Sequence, residues 1–343
     1  MKHNFKNDYT QGCHPRILEA LAKTNIDPQE GYGKDAYCIH AANLIKTAVN
    51  NPHAAVHFVS SGTQANAIVI SSILKSYESV ISAHTGHINV HEAGAIEARG
   101  HKINTILSQT GKLDCNSIET ILDAHTDAHM VKPRLVYISN ATEVGTIYQK
   151  SELSVLRKFC RSKDLYLFMD GARIGSAIMA EDNDLTLADV CRYADVFYIG
   201  GTKNGAILGE AIVISNKAIQ KNFRFHLKQN GALLAKSRIF GVQFAELFRS
   251  DLYFNMARHA NEMAQRLTRG MGKLGVAFFS RSSTNQIFPI LPMSLIKALE
   301  AMYGFYVWQQ VNDKDAAIRL VTSWATSKEA VDEFIRDLHL LHQ

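Results

Sequence analysis

No apolar run in this 343-residue chain approaches the roughly 18 residues that a membrane-spanning helix requires. The opening segment, residues 1–12, lacks the apolar stretch of a secretory leader, so none is expected. No C-x-x-C pair occurs, and Cys13, Cys38, Cys115, Cys160 and Cys191 are odd in number and scattered. Such usage fits a reducing cytoplasm and argues against a disulfide framework. Low-complexity tracts are absent and the apolar share is an ordinary 46%, which removes disorder as the main theme. The charge excess is small, +5, and gives nucleic acid no support. The G-x-x-x-x-G-K-[ST] nucleotide loop is missing too.

What is present is length and rhythm. At about 150 residues per domain, the chain suggests two domains, and it can fold without a disulfide or metal staple. Strands are expected at residues 56–59, 79–82, 102–107, 135–139, 165–169, 196–199 and 211–215. Helices are expected at 65–75, 116–128 and 152–163. Several of the strands are continuous apolar runs, as in sheets covered on both faces. The alternation predicts an α/β layered domain with a mostly parallel sheet over residues 1–245. Beyond it, residues 244–274 read as one or two long amphipathic helices. Short strands follow at 276–279, 286–290, 305–308 and 318–322, then a closing helix at 328–341. This predicts a smaller C-terminal α+β domain over residues 246–343, with Trp308 and Trp324 in its core.

Three polar motifs sit just past apolar strands. Ser61-Gly62-Thr63 opens a helix, where unpaired N–H groups, a glycine and hydroxyls can cup a phosphate. An ordinary N-cap would look the same. Asp170 closes the strand at 165–169, at the edge where open α/β sheets place ligands. A carboxylate there needs a partner. A protonated pyridine nitrogen fits, as would a helix cap or a pairing with Arg173. Lys203 follows the strand at 196–199 among small residues. Desolvated, it becomes a nucleophile toward aldehydes; exposed, it is an ordinary loop lysine. Phosphate cup, ring-nitrogen acid and Schiff-base lysine together describe a pyridoxal phosphate site.

The motifs Gly31-Tyr32-Gly33, Ser61 to Asn66, His87 with Glu92-Ala93-Gly94, Asp170-Gly171-Ala172-Arg173-Ile174, Lys203 and Arg319-Leu320-Val321-Thr322 run through nearly the whole chain. Together they resemble the threonine aldolase (β-eliminating lyase) branch of the aspartate-aminotransferase-like, fold type I enzymes that use pyridoxal 5'-phosphate. The resemblance implies a large cofactor-binding α/β/α domain, a smaller C-terminal domain, and active sites at the interface of a homodimer or homotetramer. It implies roles as well. Lys203 would form the Schiff base, and Asp170 would hold the ring nitrogen protonated. Ser61, Gly62 and Thr63 would bind the phosphate. His87 would stack on the ring and take the β-hydroxyl proton, directly or through water. Arg319 would clamp the substrate carboxylate. Arg173 would lie near the cofactor's phenolic oxygen or that carboxylate, and Tyr32 near the substrate side chain. Lys228 or Lys236 would reach the partner subunit's phosphate. The implied reaction is retro-aldol cleavage of threonine or allo-threonine to glycine and an aldehyde.

The chain departs from the family pattern in places. Asn7 precedes Asp8 where a serine commonly helps bind the carboxylate, and Glu143 follows Thr142 where many members carry histidine. Glu143 is therefore expected to recognise a polar or cationic substrate side chain. Two other readings stay open: a β-eliminating lyase releasing pyruvate and ammonia, and a non-catalytic protein on the same scaffold. No metal site is expected. His125 and His129 lack a third ligand, and His91 reads as structural. The basic residues between Lys221 and Arg238 read as a solvated face or a phosphate-reaching loop.

Overall fold

The apolar runs become the central strands. The computed structural model describes residues 1–342. β1 (His3–Asn4) lies in an N-terminal arm. β2 (Ala55–Val59), β3 (Glu78–Ala83), β4 (Ile103–Ile106), β5 (Lys132–Ser139), β6 (Tyr166–Asp170), β7 (Val196–Gly200) and β8 (Glu210–Ile214) form one seven-stranded sheet. Its order is β2-β8-β7-β6-β5-β3-β4. Every neighbouring pair is parallel except those made by β8, which a tight connection returns beside β7. This is the mostly parallel α/β sheet that the continuous apolar runs predict.

Side chains alternate between the two faces. Val136, Ile138, Leu167, Met169, Phe197 and Ile199 join one core. Leu135, Tyr137, Phe168, Val196 and Tyr198 join the other, beneath the helix Gly62–Ile73. A third core holds Phe5, Met263, Leu267, Leu320 and Phe334. It is built on β9 (Gln286–Ile287), β10 (Ile290–Pro292), β11 (Tyr303–Gly304), β12 (Tyr306–Gln310) and β13 (Asp315–Val321), with β1 paired to β11. The helix Leu252–Lys273 joins the bodies: Tyr253 and Met256 pack into the first core, Met263 and Leu267 into the third.

Some expectations need correction. The helical stretch at 244–274 is broken, ending at Leu247 and restarting at Leu252, with Ser250 and Asp251 at positive φ. The helix expected at 116–128 spans Cys115–Asp123. Residues 276–279 form no strand and make a single bridge, Phe278 to Pro289. Helices Pro15–Thr24, Ala36–Ala48 and Met293–Glu300 were not foreseen. Trp324 packs against the first core and His14, not in the C-terminal core. Trp308 is half-buried between Phe288 and Arg319.

Candidate active site

The parallel strands end on one edge of the sheet, the edge where such sheets take ligands. Ser61 and Gly62 follow β2, His87 follows β3, Glu143 follows β5, Asp170 closes β6 and Lys203 follows β7.

Asp170 is buried, and four donors converge on it. Oδ1 accepts from the Tyr198 hydroxyl at 2.5 Å and the Ala172 amide at 3.0 Å. Oδ2 accepts from the Tyr137 hydroxyl at 2.6 Å and Asn66 Nδ2 at 3.1 Å. The alternation explains this: Tyr137 on β5 and Tyr198 on β7 share the face of Phe168, two residues before Asp170. Burial alone would raise the Asp170 pKa. The charge of His87 and the donors Tyr137, Tyr198 and Ala172 outweigh it, and the carboxyl is held below its usual range.

From Asp170 a hydrogen-bonded chain leads to His87. Asn66 Nδ2 also donates to Glu92 Oε1 at 2.7 Å, and that oxygen lies 2.8 Å from His87 Nδ1. With Glu92 as a carboxylate, Nδ1 carries a ring proton, and whenever the ring is neutral Nε2 is the acceptor. The His87 amide donates to Glu143 Oε1 at 3.0 Å, and the Ser139 hydroxyl donates to the same oxygen at 2.7 Å. Burial raises the Glu143 pKa and the Ser139 bond opposes it, while the charge on Asp170 adds to the rise.

Lys203 makes no hydrogen bond or ion pair among the described residues. Burial lowers its pKa, Arg173 lowers it further, and Asp8, Asp170 and Glu210 oppose the shift. Burial pushes Glu210 up in turn. Arg319 lies over Trp308 at 5.3 Å and Tyr306 at 5.5 Å, and its buried Nε has no partner. Arg173 differs: its Nε and Nη2 grip Asp8 at 2.8 and 3.0 Å, so one edge of its fork is taken. Asp170 does not pair with Arg173.

At the start of the helix Gly62–Ile73, Ser61 Oγ accepts from the Gln64 amide at 3.2 Å. A Cβ at Gly62 would come within 2.9 Å of Tyr198 Oη, so this turn lies directly against the Asp170 clamp. The Thr63 hydroxyl has no hydrogen bond among the described residues. Asn7 is turned elsewhere, its Oδ1 accepting from the Tyr9 amide at 3.1 Å, while Asp8 holds Arg173 and Asn285. Tyr32 and Lys228 form a separate cluster. Lys228 Nζ sits 4.8 Å above the Tyr32 ring, and Arg224 donates to the Tyr32 carbonyl at 3.0 Å. No hydrogen bond or ion pair among the described residues joins Tyr32 or Lys228 to Lys203 or Asp170, although Gln64, at the helix start beside Tyr198, donates to the Asn230 carbonyl just past Lys228's helix.

These residues suit pyridoxal phosphate on structural grounds. An ionised carboxylate, a desolvated unpaired amine, a helix start crowded only by glycine and an orphaned guanidinium share one edge. The sequence reading missed Tyr137, Tyr198, Asn66 and Asp8 as site residues. The tyrosines had a signal, since a hydroxyl inside an apolar strand must find a partner. The exposed His91 ring lies 5.5 Å from that of His87, tilted 55° to it, at the site's rim. No group of three metal-ligating side chains occurs among the described residues, and His125 bonds the Ile121 carbonyl. A cavity of about 600 Å³, lined by Glu181, Asp182, Gln265 and Arg281, lies elsewhere and includes none of these groups.

Known proteins fit this geometry. The chain is 32% identical to the low specificity L-threonine aldolase of Pseudomonas aeruginosa, over 98% of this chain and 97% of that one. The solved structure of a threonine aldolase from Leishmania major shares 44% identity and a TM-score of 0.98, covering 100% of both chains. The histidinol-phosphate aminotransferase of Clostridium acetobutylicum, at 13% identity and a TM-score of 0.74 over 100% of this chain and 99% of that one, shares the fold. The model of the beta-eliminating lyase family matches residues 4–293, and the chain belongs to that family.

Proposed function

We propose that this protein is a pyridoxal 5'-phosphate-dependent carbon–carbon lyase that cleaves threonine or allo-threonine, a β-hydroxy-α-amino acid, to glycine and an aldehyde. The observation that carries this is the shared edge: Asp170 held ionised by its four donors, beside an unpaired Lys203 and an unpaired Arg319. The relatives named threonine aldolases support the same reading.

When bound, pyridoxal phosphate supplies an aldehyde for amino groups and a ring that accepts the electron pair released at an α-carbon. Lys203 would hold that aldehyde, its amine kept reactive by burial. Asp170 would take the hydrogen bond of the protonated ring nitrogen in exchange for one of its four present donors, since each of its oxygens already accepts two. The amides of Gly62 and Thr63, with the Ser61 and Thr63 hydroxyls, would meet the phosphate, where the helix start favours an anion. Arg319, already desolvated against two aromatic rings, takes the substrate carboxylate in its planar fork. Arg173, gripped by Asp8, stiffens the floor beside Lys203 and keeps one nitrogen for the cofactor or carboxylate. His87 would stand on the face of the ring and its Nε2 would take the β-hydroxyl proton, a contribution of about 10²–10⁴-fold in such reactions.

Several finer points belong to the same proposal. Residues 1–245 hold the cofactor and residues 246–343 bring Arg319 to it. The protein works as a homodimer or homotetramer with sites at the subunit interface. The exposed Tyr32–Lys228 cluster, or Lys236, serves the neighbouring site. No helix among the described residues is long and apolar enough to cross a membrane, and all five cysteines are free, which supports a cytoplasmic setting.

The test is product analysis of the cofactor-loaded protein with L-threonine and L-allo-threonine. Glycine and acetaldehyde are expected. Pyruvate and ammonia in their place would establish β-elimination instead. Lys203→Ala abolishes turnover and the visible absorption of the covalently held cofactor; turnover retained in that variant would overturn the assignment.

A further inference from the structure

Glu143 is a carboxylate with two different ends. Oε1 is fully engaged, accepting from the His87 amide at 3.0 Å and the Ser139 hydroxyl at 2.7 Å. Oε2 makes no side-chain hydrogen bond among the described residues; the carboxylate's further donor is Glu143's own amide, and the residue is half-buried rather than sealed. Both anchors matter to its place. Ser139 is the last residue of β5 and pairs in register with Asp170 on β6, and His87 starts the turn after β3. Glu143 thus bridges the loops after β5 and β3, which lie side by side on one flank of Asp170.

The positions of the other charges decide what reaches it. Burial and His87 lower the His91 pKa, and the charges of Arg319 and Lys203 add to the shift, so both cations lie near the rim on which His91 sits. In the proposed reaction they deal with the amino and carboxylate ends of the amino acid. The part of the substrate left to meet His87 and Glu143 is its side chain. A carboxylate whose inner oxygen is already saturated meets it only through its outer one.

We propose that Glu143 selects the substrate side chain by charge: its Oε2 side repels side chains that carry a negative charge and admits a neutral β-hydroxyl, whose one hydrogen is left to His87. This rests on the lyase reading above and narrows it to β-hydroxy amino acids without a side-chain acid. Of the polar or cationic side chain expected for Glu143, it keeps the polar one. With Oε1 tied to the His87 turn, the residue that screens the side chain also holds the base in place.

The pH dependence follows from its surroundings. Glu143 faces His87 and Ser139 across its hydrogen bonds, Asp170 on the neighbouring strand, and the hydroxyl-bearing Tyr137 and Tyr148. Burial, reinforced by Asp170, lets it take up a proton at higher pH than an ordinary glutamate. Once protonated it loses its repulsion for anions, so discrimination weakens as pH falls.

The experiment compares threonine with 3-hydroxyaspartate, which adds a side-chain carboxylate. The wild type should favour threonine in kcat/KM, and Glu143→Gln should shrink that preference by about ten-fold or more, since like charges in contact cost several kcal/mol. The preference should also decline with falling pH in the wild type more steeply than in the variant. A second arm needs no turnover. In the cofactor-free, ¹⁵N-labelled protein, the His87 amide should shift with pH, and Glu143→Gln should remove that titration while leaving the thermal transition cooperative. A preference unchanged by the substitution, or a His87 amide that titrates equally in both proteins, would overturn the role given to Glu143 and leave the lyase reading standing. Absence of glycine from both substrates in the wild type would bring down the lyase reading and this role together.

Discussion

Four donors on one carboxylate make Asp170 the residue whose environment is easiest to perturb singly. Tyr137→Phe removes one hydroxyl and leaves the ring's packing beside Phe168 intact. A hydrogen bond to a charged group contributes about 1.5–3 kcal/mol, so the variant should unfold that much more easily in urea near neutral pH. The sign of the pH effect is fixed by the shift. Asp170 has a lowered folded-state pKa, so its stabilisation is complete above the unfolded carboxylate value of about 3.9. It is lost as pH falls through the lower folded value. The gap between wild type and Tyr137→Phe should therefore be the same at about pH 7 and pH 5 and close only in stronger acid. A gap already closed at the milder pH would show that Asp170 is not the hydroxyl's charged partner. Legibility at this scale divides along the same line. Asp170 and Lys203 stood out because each is a polar residue directly after an apolar strand. Tyr137 and Tyr198 did not, because each fills a strand like any apolar side chain while its hydroxyl partner lies 33 or 28 residues away.

Elements place these residues, and the approach of β6 to β7 is the tightest constraint on them. A Cβ at Gly171 would lie 1.8 Å from the Tyr198 carbonyl oxygen, a backbone atom that cannot step aside. Gly171→Ala should cost more than about 4 kcal/mol, the range reached only by overpacking or comparable disruption. Gly12→Ala, which meets nothing within 4 Å, should stay within about 0.5 kcal/mol of wild type. Thermal melts of the two variants decide the point, and equal stability would mean the strands can separate without loss. The same packing explains which strands the sequence announced. β5, β6 and β7 are covered on both faces, so their runs are continuously apolar and stand apart from helical period. Residues 276–279 carry the same composition but leave the turn at Gly275, φ +77°, and meet a partner only at Phe278. Composition records apolar content; it does not record whether a neighbouring strand is there to pair.

At the scale of the whole molecule, one chain holds two groups of site residues that share no hydrogen bond or ion pair among the described residues. Lys203, Asp170, His87 and Arg319 surround one edge, while Tyr32 and Lys228 face outward together, Tyr32 being 44% exposed. The proposed two-fold assembly would reconcile them if its self-complementary interface sets the outward group of each subunit against the inward group of the other. Mixing experiments distinguish this from a role within one chain. Lys203→Ala removes the inward amine and leaves Lys228 intact; Lys228→Ala does the reverse. If Lys228 serves its own chain, a dimer of the two variants has no complete site. If it serves the partner, the subunit that keeps Lys203 receives an intact Lys228 from its neighbour, and one complete site forms per mixed dimer. Unfolding and co-refolding the two variants with pyridoxal phosphate should then yield more lyase activity than the same variants refolded apart. The recovered activity should also show the cofactor affinity of the wild type rather than that of Lys228→Ala. Activity equal to the mean of the separate variants would place Lys228 outside the partner's site and return it to the solvated surface where most lysines lie.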